Sequence, residues 1–260
     1  MLLHTIFVFL FLTIFGVQAA PTPAGPDTAT ETPDWFEVGV SNLELAEEFV
    51  KITKVLGSVN INHCPLDNIK IPLEQTKPPL PNPGNGLKLK YVAIGRGTQN
   101  YTCNGTDASA APVSVGAVAT LYDVSCFAAL NPDLPHALTG PFSKTIPSVL
   151  SFVNAVLSRV IHSSTDTIVL GEHYFDGKTP FFDLRLGGYP DWIGTKKVGS
   201  TDAPNKAQNV PWLKLEATNS SGLHDVYRLY TAGGQAPASC KGQLPAFVID
   251  YAAEYWFYSA

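Results

Sequence analysis

From Leu87 the chain alternates with a period of two: Leu87, Leu89, Tyr91 and Ala93 share one face, with Lys88, Lys90 and Val92 between them. Such alternation marks a strand with two different faces. Gly95-Arg96-Gly97 is expected to break this run. Gly116 to Val124 reads as a second strand, small and apolar at Ala117, Ala119 and Leu121. Thr167 to Phe175 and Pro180 to Arg185 read as strands around Asp176-Gly177, a strong hairpin signal. Trp212 to Thr218, Val226 to Thr231 and Phe247 to Tyr258 complete the set. In the last of these, Tyr251, Tyr255 and Phe257 occupy one face and Trp256 and Tyr258 the other, the pattern of a strand covered on both sides.

Helical spacing is confined to two segments. Leu43, Leu45, Ala46, Phe49, Val50, Ile52 and Leu56 follow a Ser41 or Asn42 cap and stop at Gly57. Pro147 to Ile161 carries a stripe of Val149, Leu150, Val153, Val156, Leu157 and Val160. Residues 65 to 86 hold Pro65, Pro72, Pro78, Pro79, Pro81 and Pro83, which excludes a helix or a central strand and predicts an extended covering loop. Many short strands without regular βα alternation predict an all-β fold, a mainly antiparallel sandwich or barrel with one or two peripheral helices. The expected organisation is a signal peptide over 1–19, a flexible leader over 20–40, a helix and Pro-rich covering segment over 41–86, and a β domain over 87–260.

Composition adds the compartment. The first twenty residues hold an apolar core from Ile6 to Phe15, followed by small residues Val17 and Ala19 and then Pro21 and Pro23. That is the plan of a secretory signal, here without Lys or Arg in its n-region. No later apolar run approaches the roughly 20 residues of a membrane span, so none is expected after cleavage. Cys64, Cys103, Cys126 and Cys240 form an even set with no C-x-x-C pair, as expected of two disulfides in an oxidising compartment. Sequons at Asn100, Asn104 and Asn219 are candidate glycosylation sites. A net charge of −5 with 15% charged residues gives no basic patch, which argues against nucleic acid as a partner.

Candidate chemistry is sparse. The segment from Val92 to Asn100 contains Gly95-x-Gly97, but the following Tyr101-Thr102-Cys103 favours a strand, and a dinucleotide loop needs a helix N-terminus there. A strand-to-strand turn is the expectation, with no cofactor. The mature histidines, His63, His136, His162, His173 and His224, show no metal-binding spacing, so no metal site is expected. No G-x-S-x-G elbow occurs. Carboxylates within apolar strands remain: Glu172 beside His173, then Asp183, Glu216 and Glu254, where ionised groups are costly unless paired. His173, Asp183, Glu216 and Glu254 are the catalytic candidates. Trp212, Lys214 and Trp256 share faces with Glu216 and Glu254 and are candidate sugar-binding residues.

Six ordered motifs carry a resemblance: LKYVAIGRGTQNYTCNG from Leu89, GAVATLYDVSC from Gly116, GEHYFDGKTPFFDL from Gly171, PWLKLEA from Pro211, VYRLYTAGGQAPASC from Val226 and YAAEYWFY from Tyr251. Together they resemble the fungal branch of a secreted family catalogued as domain of unknown function 3455, over about residues 79 to 258. The resemblance implies export and a β fold but no established activity. Fungal members often bear the label malate dehydrogenase, against which the Gly95 segment argues. Cysteines matching Cys103 and Cys240 in bacterial relatives imply that these two bond, leaving Cys64 for Cys126. Many fungal members read G-H-H-Y-F where this chain has Gly171-Glu172-His173, which weakens a two-histidine site. The leading expectation is an extracellular binding protein at a cell wall or host surface, its partner a polysaccharide or a cell-surface protein. The alternative is a secreted carbohydrate-active hydrolase using a carboxylate pair.

Overall fold

The computed structural model describes residues 64–103, 107–145, 150–151 and 168–260. The expected signal, leader and first helix, Asn104 and most of the helix expected over 147–161 lie outside the described residues. Eight antiparallel strands form a closed barrel: β1 (Lys88–Thr102), β2 (Val113–Asp123), β3 (Val169–Asp176), β4 (Thr179–Asp183), β5 (Trp192–Thr201), β6 (Trp212–Ser221), β7 (Asp225–Gly233) and β8 (Ala246–Ser259). Each strand pairs with the next, and β1 returns to β8, from Lys88 opposite Ser259 to Thr102 opposite Ala246. Of the expected sandwich or barrel, the chain forms the barrel. Two short helices, α1 (Ser125–Leu130) and α2 (Asp133–Lys144), follow β2, and α2 packs outside on β1, β7 and β8.

Alternation divides the buried residues between two faces. Ala93, Leu121, Phe182, Ile193, Tyr255 and Phe257 point into the lumen and pack together. An eight-stranded barrel is just wide enough for side chains to fill. On the outer face Val92, Ile94, Trp212, Tyr227 and Trp256 form a second cluster with Phe127 of α1 and Leu138 and Phe142 of α2. Residues 64–87 run as extended chain with one 3-10 turn, Leu73–Gln75, and Leu80 joins that outer cluster. Polar ties pin its distal end. Tyr227 Oη donates to the Pro81 carbonyl at 2.7 Å, Lys214 Nζ donates to the Asn82 carbonyl at 2.9 Å, and Asp225 accepts from the Gly84 amide at 3.0 Å. Its proximal end is tied by the Cys64–Cys126 disulfide. Cys103 bonds Cys240, as the resemblance implied, and no cysteine is free.

The expected break at Gly95-Arg96-Gly97 is not there: β1 runs straight through it. The glycines serve close approach rather than a turn. A Cβ on Gly95 would lie 2.5 Å from the Tyr255 ring, and one on Gly97 would run into the Val118 carbonyl and the backbone of Ala119. With strand on both sides and no helix following, the segment offers no pyrophosphate cradle. Helix α1 escaped the sequence reading because six residues are too few to show helical spacing, and α2 because Pro135, Gly140 and Pro141 interrupt it. Strand β5 escaped because Gly194, Lys196, Lys197 and Gly199 weaken its apolar alternation.

His173 belongs to the lumen. Its ring stacks on Phe182 at 4.2 Å, and Nδ1–H donates to the Phe181 carbonyl at 2.9 Å. Burial holds its pKa down to about 4, against an ordinary 6.5, so it is neutral at physiological pH. Its tautomer is set by that carbonyl, which leaves only Nε2 as an acceptor.

Two consequences are measurable. Gly97→Ala is expected to cost about 1–3 kcal/mol in equilibrium urea unfolding, because the clashing atoms are backbone and cannot swing aside. A change within about 0.5 kcal/mol, the scatter of neutral substitutions, would contradict that close approach. His173 takes up its proton more readily when unfolded, so its contribution is complete above its unfolded pKa near 6.5. It is lost as pH falls toward the folded value near 4. Between pH 7 and pH 5 the wild type should lose about 2 kcal/mol through this residue. His173→Phe, which keeps a ring in place, should flatten that limb, and an unchanged slope would refute the assignment.

Candidate functional site

Under α2, on the outer face of the barrel, one polar cluster stands apart from the surrounding core. Glu254 of β8 is fully buried, an expensive place for a carboxylate. Two groups meet it. Trp256 Nε1–H donates to Oε2 at 2.9 Å, and His136 Nδ1 lies 2.5 Å from Oε1 with one proton between them. Burial raises the Glu254 pKa above the ordinary carboxylate range, while the contacts from His136 and Trp256 oppose that rise. Nδ1 is therefore committed, and His136 Nε2 is the nitrogen left to meet anything else; its nearest charged neighbour is Asp133 Oδ1, at 3.9 Å.

The wall of the cluster is aromatic. The His136 ring stacks on Tyr230 with centroids 3.6 Å apart, and Trp212 lies against the same tyrosine at 4.9 Å. Tyr230 sits in β7 where the pairing with β8 shifts between Leu229 and Ala232. Its φ of 45° is in the left-handed region, costly for an aromatic residue. That backbone strain is what places its ring between the histidine and the tryptophan. Two donors in this wall are buried without a hydrogen-bond partner among the described residues: Tyr230 Oη–H and Trp212 Nε1–H. Thr201 Oγ1 is a third such atom, on β5 directly opposite Trp212. The Tyr230 pKa is raised by burial and then by the negative charges of Glu254, Glu74 and Asp133. Orphaned donors such as these can each hold an oxygen acceptor.

The residues picked from the sequence are spread around the barrel. His173 is in the lumen, whereas the carboxylates lie on the outer face. Glu172 and Asp183 stand opposite each other on β3 and β4, but Arg185 clasps Asp183 through Nε at 2.8 Å and Nη2 at 2.7 Å. Those bonds lower the Asp183 pKa and keep it ionised. Glu216 lies 3.4 Å from Lys214, which also pairs with the buried Asp225 at 3.2 Å. Only Glu254 of the four catalytic candidates belongs to the cluster. Trp212, Lys214 and Trp256 do share the outer face, yet all three are buried beneath the covering segment and α2 rather than open as a sugar platform. The sequence reading missed His136 and Tyr230. His136 meets Glu254 across 118 positions, and Tyr230 gains its role from a register shift, so neither leaves a local signal. Of the sequons, Asn219 is exposed on β6 and Asn100 is half-buried on β1.

Among the described residues no group of three or more His, Cys, Asp or Glu could hold a metal ion, and no helix is long and apolar enough to cross a membrane. No curated protein and no solved structure matches the chain. Residues 83–259 match a family described as a protein of unknown function, DUF3455, which spans the whole barrel, and the chain belongs to that family.

Proposed function

We propose that this is an exported protein that binds a neutral polysaccharide at a cell wall or host surface, an oxygen of which reaches the buried donors beside His136, Tyr230 and Trp212 once α2 or the covering segment gives way. Export is supported by the apolar N-terminal segment and by two disulfides that an oxidising compartment would preserve. The observation that carries the reading is the pair of buried, unpartnered donors, Tyr230 Oη–H and Trp212 Nε1–H, side by side in a strained wall. A buried donor without a partner costs about 1–3 kcal/mol, and a ligand oxygen would remove that cost. The surrounding charge selects the kind of oxygen. Glu254, Glu74 and Asp133 all bear on Tyr230, so an anionic ligand is repelled, whereas a hydroxyl, ether or amide oxygen is not. Sugars without carboxylate or sulfate offer such oxygens in quantity.

A hydrolase with a carboxylate pair is less well supported. Asp183 is held by Arg185, Glu216 by Lys214 and Glu254 by His136, so each carboxylate is already engaged with a different partner.

Purified secreted protein mixed with insoluble glucan, cellulose, chitin and pectate, scored for retention and for released reducing ends, tests the reading. Retention on an uncharged polymer without soluble product is the expected result. Trp212→Phe and Tyr230→Phe each remove one donor but keep a ring, and each should weaken retention about 2- to 10-fold. Release of reducing ends, preference for pectate, or variants that bind as well as the wild type would overturn the proposal.

A further inference from the structure

The outer face of the barrel has a second region, above the part covered by α2, where β8, β1 and β2 meet solvent with apolar side chains. Val248 of β8 and Val113, Val115 and Val118 of β2 are between 51% and 61% exposed. Exposed valines clustered on one sheet face are uncommon on a soluble protein and mark a surface that something covers. In register, Val248 stands opposite Asn100 of β1, Val118 opposite Thr98 and Val113 opposite Thr102. Asn100 is therefore at the centre of the patch, and it opens the sequon Asn100-Tyr101-Thr102.

We propose that Asn100 carries an N-linked glycan whose first sugars lie over these valines. This goes beyond the binding reading and shares with it only the premise of export. Three features of the site support the assignment. On the β2 side the residue opposite Asn100 is Gly116, which adds no side chain of its own, and the ring that packs against it is Phe175. Asn100 Oδ1 accepts from Thr98 Oγ1 at 3.1 Å, a bond within its own strand, and among the described residues no hydrogen bond engages Nδ2, the atom to be glycosylated. The distances suit the occupant as well. A direct cross-strand neighbour is about 5 Å away and a diagonal one about 7–8 Å, so Val248 and Val118 both lie within the footprint of one or two pyranose rings. An N-acetylglucosamine ring has an apolar face of axial hydrogens that can rest on such side chains. The Arg96–Asp250 ion pair at 2.9 Å closes one edge of the patch with polar groups.

The test uses the chain secreted from a eukaryotic host. Peptide mapping after enzymatic removal of N-glycans should find aspartate at position 100 in place of asparagine. Deglycosylation of the already folded protein should raise the fluorescence of a hydrophobic dye and shift the protein toward larger species. Val118→Thr with Val248→Thr should abolish that rise, because the surface to be covered is then polar. Thr102→Ala, which destroys the sequon but keeps Asn100, should behave like the deglycosylated wild type. Secreted protein with glycan on Asn219 but none on Asn100 would overturn this proposal alone. A glycan on Asn100 whose removal leaves dye binding unchanged would also overturn it. Retention inside the cell with no glycan at any sequon would overturn the export premise and the proposal together.

Discussion

Closure of the barrel by β1 on β8 is the constraint on which the other features rest. The two strands pair along nearly their whole length, so each fixes which side chains of the other face inward. On β8 this sends Tyr251, Ala253, Tyr255 and Phe257 into the lumen and Ala252, Glu254, Trp256 and Tyr258 outward. A slip of one residue would place Glu254 among the lumen aromatics and Tyr255 under α2. The glycines of β1 enforce the register sterically, since Gly95 faces the Tyr255 ring and Gly97 faces the backbone of β2. Closure also leaves no unpaired edge within the barrel for another chain to extend.

That constraint has a second effect, because a sheet with both faces apolar along part of its length needs an outer cover. The barrel recruits α2 on one flank and the proline-rich segment on the other. The ties that hold this segment are polar and buried, chiefly Lys214, Asp225 and Tyr227 binding backbone groups of Pro81, Asn82 and Gly84. A buried Lys–Asp pair contributes little net stability compared with an apolar replacement, but it specifies where the chain must lie. Proline suits this role. It has no N–H to donate to a strand ladder, so a segment dense in proline covers the sheet without competing to become a ninth strand.

How much of this was readable follows from what each feature depends on. Local alternation predicted β1, the Asp176-Gly177 hairpin and the two-faced β8, because strand period is a property of neighbours in sequence. The same logic misread Gly95 and Gly97, since a glycine at a turn and a glycine at a crowded contact look identical until the neighbouring strand is known. The disulfide pairing came from resemblance to a family and not from spacing. Most of the polar cluster was invisible for a physical reason: Glu254 is a visible oddity in an aromatic strand, but its partner lies in a helix whose sequence pattern is masked by prolines and glycine. Tyr230 is one tyrosine among ten until a shift in β7–β8 pairing rotates it outward against His136.

The two unusual regions of the outer face are opposite solutions to one problem. Wherever a barrel's exterior is apolar, something must separate it from water, and the chain uses its own helix and loop for one part only. Beneath that cover the structure tolerates a fully buried carboxylate, a strained tyrosine and donors with no acceptor among the described residues. A cover selected for stability alone would be expected to favour plain hydrophobic packing at these positions, because each of those groups makes folding less favourable. Their concentration in one place, while the adjoining valine face is left bare, supports the proposal that the covered region serves polar recognition. Among the described residues, the bare face by contrast contains no strained or orphaned polar group apart from Arg96 Nε at its margin. Its chemistry is that of a surface awaiting a cover, not of a site.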